Sequence, residues 1–224
     1  MIPKYMEVFD YYVWEGFLEP QTVALLANNL QIARTADETA NWLSDEEKQT
    51  YFGDGMVPNS WSYYSHPASE GLLLLLKPGY ELLVGAELHP CFTYTRIMYQ
   101  GAKMDRHTDR ASCEYSATCC IAQTTPYPIW IEENGVAKKI ILNPGDVLFY
   151  RGTRLPHWRD EYEGPEHIQV FCHFVSAQGP YAAARYDTKP ALGLSSNFKN
   201  YIIMNELDGI ADGEDPTDSR IEER

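Results

Sequence analysis

The first third of the chain carries apolar residues at helical spacing. Between Pro20 and Arg34 they recur every three or four positions, which predicts a helix, and proline suits its first turn. Residues 38–51 predict a second, weaker helix. A third apolar stretch, Leu72–Leu83, is interrupted by Pro78-Gly79, so we expect a helix, a break, and then a further helix or a loop.

After Pro90 the pattern changes to that of β-strands, with short β-branched and aromatic runs separated by turn signals. The predicted strands are Phe92–Tyr99, Glu114–Ile121, Ile129–Glu133, Val136–Leu142, Val147–Tyr150 and His167–Val175. Asn134-Gly135 tolerates the positive φ angles of a type I′ turn, so we expect a hairpin there. Helices followed by short strands, without βαβ alternation, predict a mainly β domain with flanking helices (α+β), arranged as an antiparallel sandwich or barrel.

Composition and charge narrow the range of functions. The chain of 224 residues has a formal net charge of −14, of which −6 belongs to residues 206–224. A polyanion is repelled by phosphate backbones and anionic lipids, so we expect neither a nucleic-acid partner nor a membrane partner. The 5 cysteines show no CxxC spacing and no signal peptide is visible, so we expect a cytoplasmic protein.

Two histidine segments carry the candidate chemistry. His107-Thr108-Asp109 is an HxD triplet, and the turn–strand–turn unit that starts at Gly145 leads to His157. On an extended segment alternate side chains point the same way, so His107 and Asp109 can reach one ion. Two histidines and a carboxylate suit an Fe(II) that keeps open positions, whereas structural zinc needs four ligands. The residues alone support this metal site and a surface histidine beside an acidic turn about equally.

The same segments resemble a known family. Tyr99–Asp109, the strand after it, Gly145–Tyr150 and His157 are similar to the core of the 2-oxoglutarate- and Fe(II)-dependent dioxygenases of the prolyl 4-hydroxylase type. The similarity covers about residues 85–176 and is closer still to a small branch seen in bacteria and phages. It implies a double-stranded β-helix, a jelly-roll, cupin-like core with iron at one mouth.

The absence of a repeat or linker, the acidic end of the chain and the resemblance together predict how the chain is organised. We expect a single oxygenase domain over residues 1–224, with helical support at about 1–88 and the β-helix core at about 89–176. A C-terminal extension (177–205) and a solvated acidic tail (206–224) would follow.

The implied activity is oxidative. His107, Asp109 and His157 would be the iron ligands, with 2-oxoglutarate as cosubstrate, O₂ as oxidant and ascorbate as a candidate reductant. The enzyme would hydroxylate an unactivated C–H bond of a peptide, a protein or an amino-acid-like molecule and release succinate and CO₂. A non-catalytic jelly-roll binding module and a cupin-like metalloenzyme that does not use 2-oxoglutarate are the alternatives.

The distal carboxylate of 2-oxoglutarate needs a buried cation, and here the chain departs from the family. Where the family usually has Lys or Arg after its second histidine, this chain has Glu166-His167-Ile168. Our first candidate for the anchor is Arg159, because it lies two residues after His157 and arginine binds a carboxylate with two donors. The alternative for Arg159 is a surface ion pair with Asp160 or Glu161.

Three further residues are weaker candidates for the cosubstrate pocket. His167 is the second choice for the anchor, and Arg110 is the third, with substrate binding an equally supported role. Tyr99 matches a tyrosine of the cosubstrate pocket in the prolyl-hydroxylase branch. His173 is interpreted as a core histidine, since both faces of its strand look buried.

Overall fold

The computed structural model of the protein describes residues 10–40, 44, 51–189 and 191–195. Helix α1 spans Pro20–Thr39 and helix α2 spans Pro67–Val84. The strands are β1 (Tyr11–Trp14), β2 (Ser60–Tyr64), β3 (Leu88–Tyr99), β4 (Met104–His107), β5 (Tyr115–Gln123), β6 (Ile129–Glu133), β7 (Val136–Ile140), β8 (Val147–Tyr150), β9 (His157–Arg159), β10 (Glu166–Ser176) and β11 (Leu194–Ser195). Short 3₁₀ helices span Ala111–Cys113 and Ala182–Thr188.

The strands form two antiparallel sheets. The larger has the order β1-β8-β5-β10-β3-β2-β11 and the smaller has the order β4-β9-β6-β7. From β3 to β10 the chain alternates between the two sheets, except at the β6–β7 hairpin. Buried residues of β5 and β8 pack between the sheets against those of β6. This arrangement is a double-stranded β-helix, and it confirms the predicted fold class.

The outer face of the larger sheet packs on both helices. Alternate residues of β10 join one apolar core with buried residues of the helices, among them Val170, Cys172, Leu30 and Leu76. Because side chains alternate along a strand, the intervening Gln169, Phe171 and His173 point between the two sheets. The interior of the β-helix is therefore lined partly by polar groups.

Helix α2 continues through Pro78, where the sequence predicted a break. The proline removes the N–H that would bond the carbonyl of Leu74, but Leu74 is 66% exposed, so water can satisfy that carbonyl. The next turn is held in place by Tyr80, whose buried hydroxyl lies 2.8 Å from the carbonyl of Ser116 and 2.7 Å from that of Tyr150. Tertiary packing thus outweighs the cost of the proline.

Most other predicted elements are confirmed. Asn134 and Gly135 have φ angles of 53° and 77°, as a type I′ hairpin requires. The sequence pattern did not predict the short strands β1, β2, β4, β9 and β11. The weaker helix predicted for residues 38–51 lies largely outside the described residues, and the acidic tail lies wholly outside them. Neither described helix is both long and apolar enough to cross a bilayer.

Candidate active site

The structure brings the three predicted ligands together. His107 ends β4 and His157 begins β9, and the two are direct neighbours in the strand pairing. Asp109 is held in the following loop, where its N–H donates to the carbonyl of Gly152 at 2.9 Å. Its Oδ1 lies 3.7 Å from Nε2 of His107 and 3.6 Å from Nε2 of His157. One donor atom from each residue lies within 4.8 Å of the others, a spacing that suits one metal ion.

Backbone carbonyls orient both imidazoles. Nδ1 of His107 lies 2.8 Å from the carbonyl oxygen of Asp105, and Nδ1 of His157 lies 2.9 Å from that of Leu155. A carbonyl only accepts hydrogen bonds, so each Nδ1 carries a proton, and in the neutral ring each Nε2 has the lone pair that a metal needs. The cluster therefore offers two neutral imidazole nitrogens and a carboxylate, a donor set that fits Fe(II).

Electrostatics keep the carboxylate of Asp109 ionised. Burial raises the pKa of Asp109, but its contacts with the rings of His107, His157 and His173 and with the Ser116 hydroxyl outweigh burial and hold that pKa well below its ordinary value. Burial lowers the pKa of His157, which favours its neutral form. For His107, burial acts in the same direction, but the contacts with Asp109 and the Asp105 carbonyl raise its pKa.

Two further residues hold the Asp109 side chain, and sequence reasoning missed both. The hydroxyl of Ser116, on β5, donates to Oδ2 of Asp109 at 2.8 Å. Gly152 lies against the same oxygen, because a Cβ at this position would come within 2.3 Å of Asp109 Oδ2 and 2.5 Å of Ser116 Oγ. The carboxylate thus fits between a hydroxyl donor and a position that must lack a side chain.

Arg159 lies inside the β-helix and is only 1% exposed. One Nη donates to Oε1 of Gln169 at 2.7 Å, and the other donates to the carbonyl of Tyr127. Its Nε is buried without a partner among the described residues. Burial lowers the pKa of Arg159 to about 10, so it is still charged at neutral pH. The alternative of a surface ion pair with Asp160 or Glu161 is therefore wrong.

His167 lies in the same interior as Arg159. Its Nε2 is 3.2 Å from Oε1 of Gln169, which accepts, so Nδ1 is unprotonated and has no partner in the described part of the chain. Burial, and then the charge of Arg159, lower the pKa of His167 to about 3, so the ring is neutral. The amide of Gln169 donates to the hydroxyl of Thr118. Arg159, and not His167, supplies positive charge here.

Arg96 is a second buried guanidinium, and sequence reasoning missed it. It lies on β3 opposite Gln169, with its guanidinium carbon 4.7 Å from the ring centroid of Tyr94. Its Nε and Nη2 donate to the two carboxylate oxygens of Asp54 at 2.9 and 3.1 Å. Asp54 thus neutralises Arg96, whereas no carboxylate among the described residues pairs with Arg159. A charged residue within a predicted buried strand was the available signal for Arg96.

The structure places the two other predicted pocket residues elsewhere. Tyr99 packs on the helix-facing side of the larger sheet, near Arg34 of α1. Strand alternation explains this correction, because Met98 takes the position between the sheets. Arg110 points to Asp187, with Nη1 and Nη2 at 3.0 and 2.7 Å from its two oxygens. Tyr99 therefore lies outside the interior that holds Arg159, and the guanidinium of Arg110 is already paired with a carboxylate.

Solved structures with the same fold can be identified for this chain, although sequence comparison finds no match. No protein-family model matches the sequence, and no curated protein matches it. Solved structures do match. A Pseudomonas putida prolyl-4-hydroxylase has a TM-score of 0.59 and 13% identity, over 76% of this chain and 95% of that one. A Trichoplax adhaerens prolyl hydroxylase, solved with a peptide fragment of the hypoxia inducible factor oxygen degradation domain, has a TM-score of 0.60 and 10% identity, over 84% and 91%.

A third similar structure was solved with a metal ion and 2-oxoglutarate. HygX from Streptomyces hygroscopicus, solved with nickel and 2-oxoglutarate bound, has a TM-score of 0.58 and 11% identity, over 77% of this chain and 85% of that one. The chain therefore has the double-stranded β-helix fold of the 2-oxoglutarate- and Fe(II)-dependent oxygenases, prolyl 4-hydroxylases among them.

Proposed function

We propose that the protein is an Fe(II)- and 2-oxoglutarate-dependent dioxygenase that hydroxylates an unactivated C–H bond of a peptide, protein or amino-acid-like substrate. One observation carries this proposal. The cluster of His107, Asp109 and His157 shares its interior with a buried cation, Arg159, that has no carboxylate partner within the described chain. The three-residue cluster fits a metal with open positions, and the guanidinium of Arg159 fits the distal carboxylate of a dicarboxylic acid.

The three ligands would hold the metal through Nε2 of His107, Nε2 of His157 and Oδ1 of Asp109. The backbone contacts to both Nδ1 atoms keep the rings in the required tautomer before metal binds. When bound, Fe(II) supplies the activation of O₂ that couples oxidative decarboxylation of 2-oxoglutarate, giving succinate and CO₂, to hydroxylation of the substrate. The protein supplies the orientation of the ligands.

Arg159 would bind the distal carboxylate of 2-oxoglutarate. It follows His157 by two residues on β9, so both side chains point to the same side of the smaller sheet. Its partnerless Nε–H is a donor for the carboxylate, and the hydroxyl of Thr118 lies next to Gln169 in the same interior. An ion pair in this buried position is stronger than one in water. His167 is neutral and would shape the pocket without supplying charge.

The two alternatives are less well supported. A non-catalytic binding module has no need for three oriented metal donors. A metalloenzyme that does not use 2-oxoglutarate has no need for an uncompensated buried guanidinium, which is costly to keep. The presence of oriented metal donors together with an uncompensated buried guanidinium favours the dioxygenase.

The first test of this function measures succinate. The protein should form succinate when supplied with Fe(II), 2-oxoglutarate and ascorbate, and His107→Ala or Asp109→Ala should abolish it, because each removes a ligand. His89→Ala is a matched control, since His89 lies on β3 outside the cluster, and it should retain activity. If calorimetry detects binding of neither Fe(II) nor 2-oxoglutarate to the wild-type protein, the proposal is wrong.

The second test concerns the anchor. Arg159→Met should raise the KM for 2-oxoglutarate by roughly 10- to 100-fold, because a buried hydrogen bond to a charged group is worth about 1.5–3 kcal/mol. Metal affinity should stay at the wild-type level, since Arg159 is not a ligand. Arg154→Met changes an arginine whose side chain is 61% exposed and should leave the KM unaltered. An unaltered KM in Arg159→Met would instead direct the search for the anchor to Arg96.

A further inference from the structure

The two oxygens of the Asp109 carboxylate have different surroundings. Oδ1 faces the metal position, at 3.7 Å from Nε2 of His107 and 3.6 Å from Nε2 of His157. Oδ2 points away from it and accepts a hydrogen bond from the Ser116 hydroxyl at 2.8 Å. The side chain is therefore oriented to present one oxygen to a metal and the other to the protein.

The single proton of the Ser116 hydroxyl decides the direction of the hydrogen bonds around it. Ser116 Oγ lies 2.8 Å from Asp109 Oδ2, 3.2 Å from the carbonyl oxygen of Cys113 and 3.0 Å from Nδ1 of His173. A charged carboxylate at the shortest distance is the strongest of these acceptors, so the proton points to Asp109. Ser116 Oγ must then accept from His173, and Nδ1 of His173 carries a proton. The hydroxyl of Tyr150 also contacts Ser116.

His173 is placed for this role by the larger sheet. It lies directly opposite Ser116 in the pairing of β10 with β5. The side chain is 6% exposed, and its ring packs on Phe92 with 4.5 Å between centroids. Strand register and ring packing together hold the Nδ1 donor in line with Ser116.

We propose that His173 and Ser116 are positioning residues for the metal site, forming the relay His173 Nδ1–H to Ser116 Oγ–H to Asp109 Oδ2. By engaging Oδ2, the relay keeps Asp109 a ligand through one oxygen only. A carboxylate that was free to rotate would offer both oxygens to the metal and occupy a position needed by cosubstrate or O₂. The effect of the relay on metal coordination rests on the proposed function.

The test uses the full-length protein and Co(II), whose visible absorption spectrum reports coordination number. Ser116→Ala and His173→Leu should weaken Co(II) binding by roughly 10-fold or more and change the spectrum, as is typical when the partner of a ligand is lost. His173→Asn should restore the wild-type spectrum, because its amide N–H takes the place of the Nδ1–H. Ser112→Ala is the control, since Ser112 is a buried serine whose hydroxyl has no partner among the described residues.

Two results would overturn the relay. The first is wild-type Co(II) affinity and spectrum in both Ser116→Ala and His173→Leu. The second is equal loss of metal in His173→Asn and His173→Leu, because that would mean that the N–H donor is not what His173 contributes. Melting temperatures of the metal-free variants identify any variant that fails to fold. If His173→Leu does not fold, the Co(II) spectrum of His173→Asn still tests the relay.

A metal-free measurement separates this inference from the proposed function. The ¹⁵N chemical shifts of labelled histidine report the tautomer of His173, and the relay requires protonation at Nδ1. An unprotonated Nδ1 contradicts the relay even if the protein forms succinate. A protonated Nδ1 that responds to Ser116→Ala supports it even if the protein forms none.

Discussion

Gly152 contributes to the candidate active site by having no side chain. Its carbonyl accepts from the N–H of Asp109 at 2.9 Å, and its own N–H donates to the carbonyl of Glu114 at 3.1 Å. Both contacts draw the backbone of Gly152 close to the carboxylate of Asp109. In the sequence this glycine looks like an ordinary turn residue, because the groups it must avoid belong to distant parts of the chain.

Substituting this glycine should damage metal binding. In Gly152→Ala the added methyl group would lie 2.3 Å from Asp109 Oδ2, 2.4 Å from the Cys113 carbonyl oxygen and 2.5 Å from Ser116 Oγ, so both side chains and the local backbone must shift. We expect Co(II) affinity to fall by at least about 10-fold, with an overpacking cost of roughly 1–3 kcal/mol in the free energy of unfolding. Gly55→Ala has nothing within 4 Å of its new Cβ and should match the wild type in both measurements. Metal titration and urea unfolding check these outcomes, and wild-type metal affinity in Gly152→Ala would contradict them.

At the scale of strands, alternation explains what the sequence could predict about the site. Arg159 follows His157 by the two residues that share a face of β9, so its placement needs only local geometry. His107 and Asp109 do reach one ion as predicted, but β4 ends at His107, and a hydrogen bond to the distant Gly152 holds Asp109 in the following loop. Tyr99 shows the limit of family resemblance, because the match to a pocket tyrosine did not reveal that the side chain faces the helices.

Contacts between distant elements were beyond prediction. The Arg96–Asp54 pair joins β3 to the segment before β2, and the His173–Ser116 contact depends on the register between β10 and β5. The hydrophobic pattern of a single strand predicts neither of these contacts. The continuity of α2 through Pro78 likewise depends on the packing of Tyr80 against carbonyls of the larger sheet. Local pattern predicts the elements, and tertiary packing decides how they meet.

The negative net charge of the whole molecule does not describe the surroundings of Arg159. The formal net charge is −14, with −6 in residues 206–224 and −8 in the rest. The interior instead holds two guanidinium groups, of Arg96 and Arg159, and the carboxylate of Asp54 neutralises the former. Net charge therefore argues against polyanionic partners, while the interior still suits a dicarboxylate.

The same interior predicts how the protein responds to acid. His167 is 1% exposed, and burial beside Arg159 lowers its pKa to about 3, against an ordinary value of about 6.5. Between these two pH values the unfolded chain binds a proton at this site and the folded protein does not. Above about pH 6.5, His167 therefore does not change the free energy of unfolding. As the pH falls below that value, His167 lowers the free energy of unfolding by up to about 1.4 kcal/mol per pH unit.

Replacing His167 should make the metal-free protein less sensitive to acid. The free energy of unfolding of His167→Phe should fall less steeply than that of the wild type between about pH 6.5 and pH 4, whatever their difference at pH 7. Urea unfolding across this range measures both slopes. His167→Gln is the matched control, since it does not titrate either and should share the slope of His167→Phe while differing in packing. Parallel curves for the wild type and both variants would mean that the folded protein does not hold His167 neutral.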